Sequence, residues 1–224
     1  MKEIKSVNPT NIGWLQSQLD KKEMDYLWQL VEERGKQMKS RLAGNINSSY
    51  SIFDKDNWFL INVLSQLGME YENRFTNLGK KIPTTCKHSY CLSNMWVNYQ
   101  KQYEFNPIHD HQGIYSFVIW MKIPTEFKEQ IELSIAENSN TNVISNFCFI
   151  YQNIIGDMQQ FVYEMSKEKE STILFFPSQL GHIVYPFYGC EEDRISISGN
   201  IKLNTNQINY NEKHYKIETS SKIK

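Results

Sequence analysis

Nowhere in its 224 residues does the chain hold an apolar run long enough to span a bilayer. The start, Met1-Lys2-Glu3-Ile4-Lys5, also lacks the continuous apolar stretch of a secretory signal. Cytoplasm is therefore the expected compartment, and no membrane partner is indicated. Cysteine is scarce. Cys86, Cys91, Cys148 and Cys190 show neither the close pairing of a zinc knuckle nor the density of a disulfide scaffold, and read as ordinary thiols. An excess of either charge is missing too: 24 basic residues stand against 25 acidic ones, so no global field recruits nucleic acid or an anionic surface. Internal repeats are absent. Partner choice must come from a local site on one domain, since this length suffices to bury a core without staples.

What is present favours sheet. Thirteen Tyr, twelve Phe and five Trp cluster with Ile and Val in short runs. Two amphipathic stretches come first. Between about Asp20 and Leu42, Met24, Leu27, Leu30 and Val31 recur at helical spacing; between about Asp54 and Leu78, Trp58, Leu60, Ile61, Val63, Leu64, Leu67 and Met69 form a broad stripe that Asp54 or Asp56 can cap. From Tyr90 the rhythm changes to short apolar runs between polar turns: Met95 to Tyr99, Tyr115 to Ile123, Phe147 to Ile155, Met158 to Met165, Ser171 to Phe176, Ile183 to Phe187 and Arg194 to Leu203. Seven or eight strands suit a jelly roll, a double-stranded β-helix, giving a mainly β (α+β) fold with two N-terminal helices as cover. The expected division is a helical cover over 1–82, a jelly-roll core over 83–204 and a polar tail over 205–224. The run from Tyr115 to Ile123 is apolar on both alternating faces, which predicts a strand covered on each side. The stretch Glu137 to Asn146 reads as a loop, and Lys80 to Tyr90 and Glu126 to Asn146 are candidate rims for a pocket.

Three of the five histidines stand in distinctive surroundings: His109 and His111 in Asn106-Pro107-Ile108-His109-Asp110-His111-Gln112-Gly113, and His182 after Phe176-Pro177-Ser178-Gln179-Leu180-Gly181. In an extended segment, residues two apart share a face, so His109 and His111 can converge on one point while Asp110 turns away. With His182 they make a candidate set of metal ligands, and imidazole suits Fe, Zn, Cu or Ni. Downstream, alternation puts Arg194, Ser196, Ser198 and Asn200 on one face and Ile195 and Ile197 on the other, so the polar face lines a cavity. A buried guanidinium needs an anion, and its fork matches a carboxylate. Trp96 and Trp120 read as core packing, and His88 and His214 as structural residues. The Lys-rich stretches Lys36 to Arg41 and Lys213 to Lys224 read as solvated faces.

Through "WVNYQ", "NPIHDHQG", "SFVIWMKIP", "LFFPSQLGHIVYP" and "RISISGN", the chain resembles the Fe(II)/2-oxoglutarate oxygenase superfamily, especially a small group common in bacteria and their phages. The resemblance spans roughly Met95 to Lys202. It implies Fe(II) and 2-oxoglutarate as cofactors and O2 as co-substrate. His109, His111 and His182 correspond to the catalytic metal ligands, Arg194 to the residue that binds the far carboxylate of 2-oxoglutarate, and Ser196 to its assistant. In the DNA-alkylation-repair branch an Asn eleven residues before the first iron-binding His contacts the co-substrate; Asn98 stands eleven before His109. The implied reaction is oxidative decarboxylation to succinate with hydroxylation of a substrate.

One departure stands out. The superfamily's usual His-x-Asp or His-x-Glu is here His109-Asp110-His111, which makes the metal set three histidines unless a local bulge turns Asp110 inward. A neutral third ligand leaves the metal one charge more positive. Two other classes of function compete: a cupin-like mononuclear metalloprotein that uses no keto acid, and a non-catalytic jelly-roll binding module. Cupins usually follow the His pair within a few residues by a Glu ligand, whereas after His111 none appears before Glu126.

Overall fold

The computed structural model describes residues 5–7, 12–38, 44–84 and 88–204. Cys86, His214 and the expected tail over 205–224 lie outside them. In chain order the elements are β1 (Leu15–Gln18), α1 (Lys21–Glu32), β2 (Ser48–Ser51), α2 (Ser65–Arg74), β3 (Tyr90–Gln100), β4 (Asn106–His109), β5 (Tyr115–Lys122), α3 (Phe127–Ile131), β6 (Phe147–Gln152), β7 (Met158–Tyr163), β8 (Thr172–Pro177), β9 (Gly181–Val184) and β10 (Arg194–Leu203). They build two antiparallel sheets, one ordered β1-β8-β5-β10-β3-β2 and the other β4-β9-β6-β7. This is a jelly roll with helices on the outer face of the larger sheet.

β5 shows why the layers stack this way. All its residues but the last are buried. Tyr115, Phe117, Ile119 and Met121 join Leu27, Leu30 and Val31 of α1 and Phe59, Leu64 and Tyr71 of the second helical region in one core. Val118 and Trp120 point the other way, into a second core with Phe147, Phe149, Tyr163 and Phe176 between the sheets. Burying each such side chain stabilises the fold by ~1.5–3 kcal/mol, so a strand apolar on both faces ties both cores together.

The first helix is shorter than its periodicity predicts. Its start is a capping box: Asp20 accepts from the Glu23 amide, and Glu23 accepts from the Asp20 amide, both at 2.8 Å. It stops at Glu32 instead of Leu42 because the chain beyond turns to pair with β2. Gly35 N–H donates to Ser51 O, Ser51 N–H to Lys36 O and Met38 N–H to Ser49 O.

Of the two candidate caps for the second helical region, Asp54 and Asp56, Asp54 takes the part. Its carboxylate accepts from the amides of Phe59 and Leu60, each at 2.9 Å, and from the Tyr26 hydroxyl at 2.7 Å. A π-helical turn over Leu60–Leu64 then leads into α2, which ends at Arg74, short of Leu78.

The sequence reading misses β1 and β2, whose segments Leu-Gln-Ser-Gln and Ser-Ser-Tyr-Ser carry almost no apolar alternation and lie within the expected helical cover. They form because the two edges of the larger sheet, β8 and β3, offer them backbone partners. β6 ends at Gln152, and Ile154 and Ile155 pass into an exposed turn closed by Asn153 Oδ1, which accepts from the Ile155 and Asp157 amides. β9 starts two residues earlier than predicted, which puts His182 inside a strand. No helix among the described residues is long and apolar enough to cross a membrane.

Candidate active site

A cavity of about 360 Å³ opens between the two sheets. Its floor is a ladder of side chains in register: Gln100 beside Arg194, Asn98 beside Ser196, Trp96 beside Ser198 and Asn94 beside Asn200. From the other edge of β10, Trp120 and Val118 face Ser196 and Ser198. The polar face predicted for β10 does line this cavity, while Ile195 and Ile197 pack into the helix-side core.

The smaller sheet supplies the histidines. β4 and β9 pair His109 with His182, with a register shift between Asn106 and His109. Beyond β4 the chain bends, and the His111 amide donates to Ser178 O at 2.8 Å. The bend needs Gly113, at φ +135°, where a Cβ would lie 2.8 Å from Ile201 O. Beneath it, Ser116 Oγ donates to Asn200 Oδ1 (2.7 Å) and lies 2.9 Å from Ser178 Oγ, all three residues being buried. One ring nitrogen from each of His109, His111 and His182 lies within 4.8 Å of the other two. Asp110 is exposed at the mouth and outside this group.

Protonation follows from the hydrogen bonds. His109 Nδ1–H donates to Pro107 O (2.7 Å) and His182 Nδ1–H to Leu180 O (2.9 Å), so each Nε2 carries a lone pair. His182 Nε2 lies 3.2 Å from His111 Nε2, close to the ~3 Å separating neighbouring nitrogens that share an ion at ~2.1 Å in octahedral geometry. Burial lowers all three rings. It pushes His111 down to about 4, with His109 adding to the effect, and holds His182 well below its ordinary range. Three neutral, converging imidazoles fit a divalent first-row ion.

Arg194 opens β10 and is 2% exposed. Its Nη2 donates to Ser145 Oγ at 2.7 Å, and the Phe187 ring centre lies 4.9 Å from the guanidinium carbon. Nε and Nη1 are buried without a partner. With no counter-charge beside it among the described residues, burial pulls its pKa down to about 9. Such a group costs several kcal/mol unless an anion joins it. Asn106 Oδ1, on the same cavity, is likewise buried and unpartnered.

All six residues singled out from the sequence, His109, His111, His182, Arg194, Ser196 and Asn98, line this one cavity. Asn98 is held by Ser49, whose hydroxyl donates to Asn98 Oδ1 at 2.7 Å. Trp96 and Trp120, read as core, are both buried and also line the cavity, the Trp96 ring centre lying 5.6 Å from that of His111. The described residues of the two expected rim loops do not line it; Gly44 and Ile46 ahead of β2 and Ser49 within it do. Ser145, Phe187 and Ser49 carry no sequence signal. A serine in an Asn/Ser-rich loop looks like any other until the fold sets it against Arg194.

Comparison with known proteins bears on the same segment. Residues 94–200 match the model of a family described as "Putative 2OG-Fe(II) oxygenase". No curated protein sequence matches the chain. Among solved structures, the non-heme α-ketoglutarate-dependent carbocyclase SnoK from nogalamycin biosynthesis aligns with a TM-score of 0.51 at 8% identity, covering 86% of this chain and 79% of that one. A prolyl-4-hydroxylase from Pseudomonas putida aligns with a TM-score of 0.47 at 13% identity, covering 85% and 92%. A 2OG-Fe(II) oxygenase family oxidoreductase from Burkholderia pseudomallei gives 0.47 at 11%, covering 82% and 79%. At such identities the likeness to SnoK concerns the fold.

Proposed function

We propose that this chain, whose residues 94–200 match the model of a family described as "Putative 2OG-Fe(II) oxygenase", uses Fe(II) and 2-oxoglutarate to hydroxylate a carbon of an organic substrate. When bound, Fe(II) with 2-oxoglutarate and O2 supplies the oxidation: one oxygen atom enters the substrate, the other enters succinate, and carbon dioxide leaves. His109, His111 and His182 hold the metal through their unprotonated nitrogens, with Pro107 and Leu180 carbonyls fixing the tautomers of the first and last. Arg194 binds the distal carboxylate of 2-oxoglutarate. Ser196 and Asn98, its neighbours on the floor, assist. Trp96, Trp120, Val118, Phe147 and Phe176 make the apolar part of the wall and limit water around the metal.

The observation that carries this reading is the buried guanidinium with two unpartnered nitrogens on the cavity that the three imidazoles also line. An ion pair with a carboxylate answers that need, and a keto diacid has a second end to reach the metal. The test is anaerobic titration of the metal-free protein with Fe(II) and then 2-oxoglutarate, watching for the weak visible charge-transfer band of a chelated keto acid. The band should appear in the wild type and vanish in Arg194→Ala and His182→Ala. Fe(II) binding without a band would count against the keto-acid role, and unchanged iron content in His182→Ala against the ligand set.

A further inference from the structure

We propose that Ser145 is a positioning residue for Arg194: its hydroxyl sets where the guanidinium stands and thereby how long a keto diacid the cavity accepts. This rests on the reading of Arg194 as the carboxylate anchor.

Ser145 is fully buried, yet its backbone sits at φ +66°, the left-handed region where a side chain is strained by ~1–2 kcal/mol and glycine is the usual occupant. The surrounding hydrogen bonds enforce this conformation. Ser145 N–H donates to Pro186 O at 2.9 Å. Next to it, Asn146 Oδ1 accepts from the Met165 amide (3.0 Å), its Nδ2 donates to Asn142 O (3.1 Å), and its carbonyl accepts from the Tyr185 amide (2.9 Å). The loop is thus locked to the strands on either side. What the side chain does in that place is accept the Arg194 Nη2 hydrogen bond at 2.7 Å.

The chemistry of the acceptor matters. A carboxylate at this position would neutralise the guanidinium and compete with an incoming anion. A hydroxyl fixes one nitrogen through a dipole and leaves the positive charge, together with Nε and Nη1, for the ligand. The Phe187 ring holds the guanidinium from another side, so the cation is clamped before any ligand arrives. A clamped cation and a fixed histidine cluster define one separation between the two ends of a bound keto diacid, and so discriminate by its length.

The test compares wild type, Ser145→Gly and Ser145→Ala for Fe(II) affinity, thermal stability, and anaerobic affinity for 2-oxoglutarate and the one-carbon-longer 2-oxoadipate, read from the charge-transfer band. Glycine removes the hydroxyl while relieving the backbone, so this variant should be more stable than Ser145→Ala, which loses the same hydrogen bond and keeps the strain. Both substitutions should weaken 2-oxoglutarate about tenfold, the scale of one charge-assisted hydrogen bond, narrow its advantage over 2-oxoadipate, and leave Fe(II) affinity unchanged. Variants that match wild type in affinity and in discrimination overturn the role of Ser145 while leaving the anchor reading intact. A wild type that shows no band with 2-oxoglutarate overturns both.

Discussion

Arg194 is the residue where folding and chemistry pull in opposite directions. Burial brings its guanidinium from its ordinary strongly basic range down to about 9, so the folded chain holds this proton less tightly than the unfolded chain does. The resulting destabilisation is fully present below about pH 9 and fades as pH rises toward the unfolded value. Replacing it with an apolar side chain of similar length should therefore help the ligand-free fold. Arg194→Met is expected to raise the free energy of unfolding at neutral pH by about 1–3 kcal/mol, measured by urea denaturation. The wild type should gain thermal stability on adding 2-oxoglutarate, and the variant should not. At this scale, the residues with a motif around them were legible: His109, His111, His182 and Arg194 stand in runs whose alternation aims them at one cavity. Ser145 was not, because its partner lies 49 residues away and only the tertiary structure joins them. Trp96 is buried as its run predicts, but that it also lines the cavity was not legible, since an aromatic residue in an alternating strand looks the same whether its face meets a core or a cavity.

Asp54 does at the level of an element what no periodicity could reveal. The sequence marks it as a helix cap, and it is one, but its carboxylate also accepts the Tyr26 hydroxyl of α1 and so fastens the two helical regions to each other. Burial, with that contact adding to it, raises the Tyr26 phenol well above its ordinary range. Asp54→Ala should cost about 2–3 kcal/mol, the sum of a lost cap and a hydroxyl left without its partner. A double cycle with Tyr26→Phe should give less than the sum of the single losses. Element boundaries were harder to read than element types. α1 stops early because residues 35–38 find strand partners in β2, and β1 and β2 exist only because a sheet edge recruits them. Competition of this kind between a helix and a distant strand leaves no trace in local composition.

For the molecule as a whole, the larger sheet separates a core under the helices from a second core and the cavity between the sheets. Stability and ligand binding should therefore be separable by face. Ile119→Ala, on the helix side of β5, should lower the free energy of unfolding by about 2–5 kcal/mol and leave 2-oxoglutarate affinity within twofold, as denaturation and anaerobic titration would show. β10 crosses this division. It begins at Arg194, supplies Ile201 O to the Ile114 amide just past the His111 bend, and is hydrogen-bonded along both edges to β3 and β5. Under the proposed reading, the strand that carries the carboxylate anchor thus also braces the bend that bears one of the three histidines. Gly44 and Ile46, which also line the cavity, sit on a different part of the chain, ahead of β2. Under the proposed reading, divergence there would remodel what is oxidised while the spacing that serves the keto acid stays as it is, so descendants of this chain could change substrates without relearning how to use their oxidant.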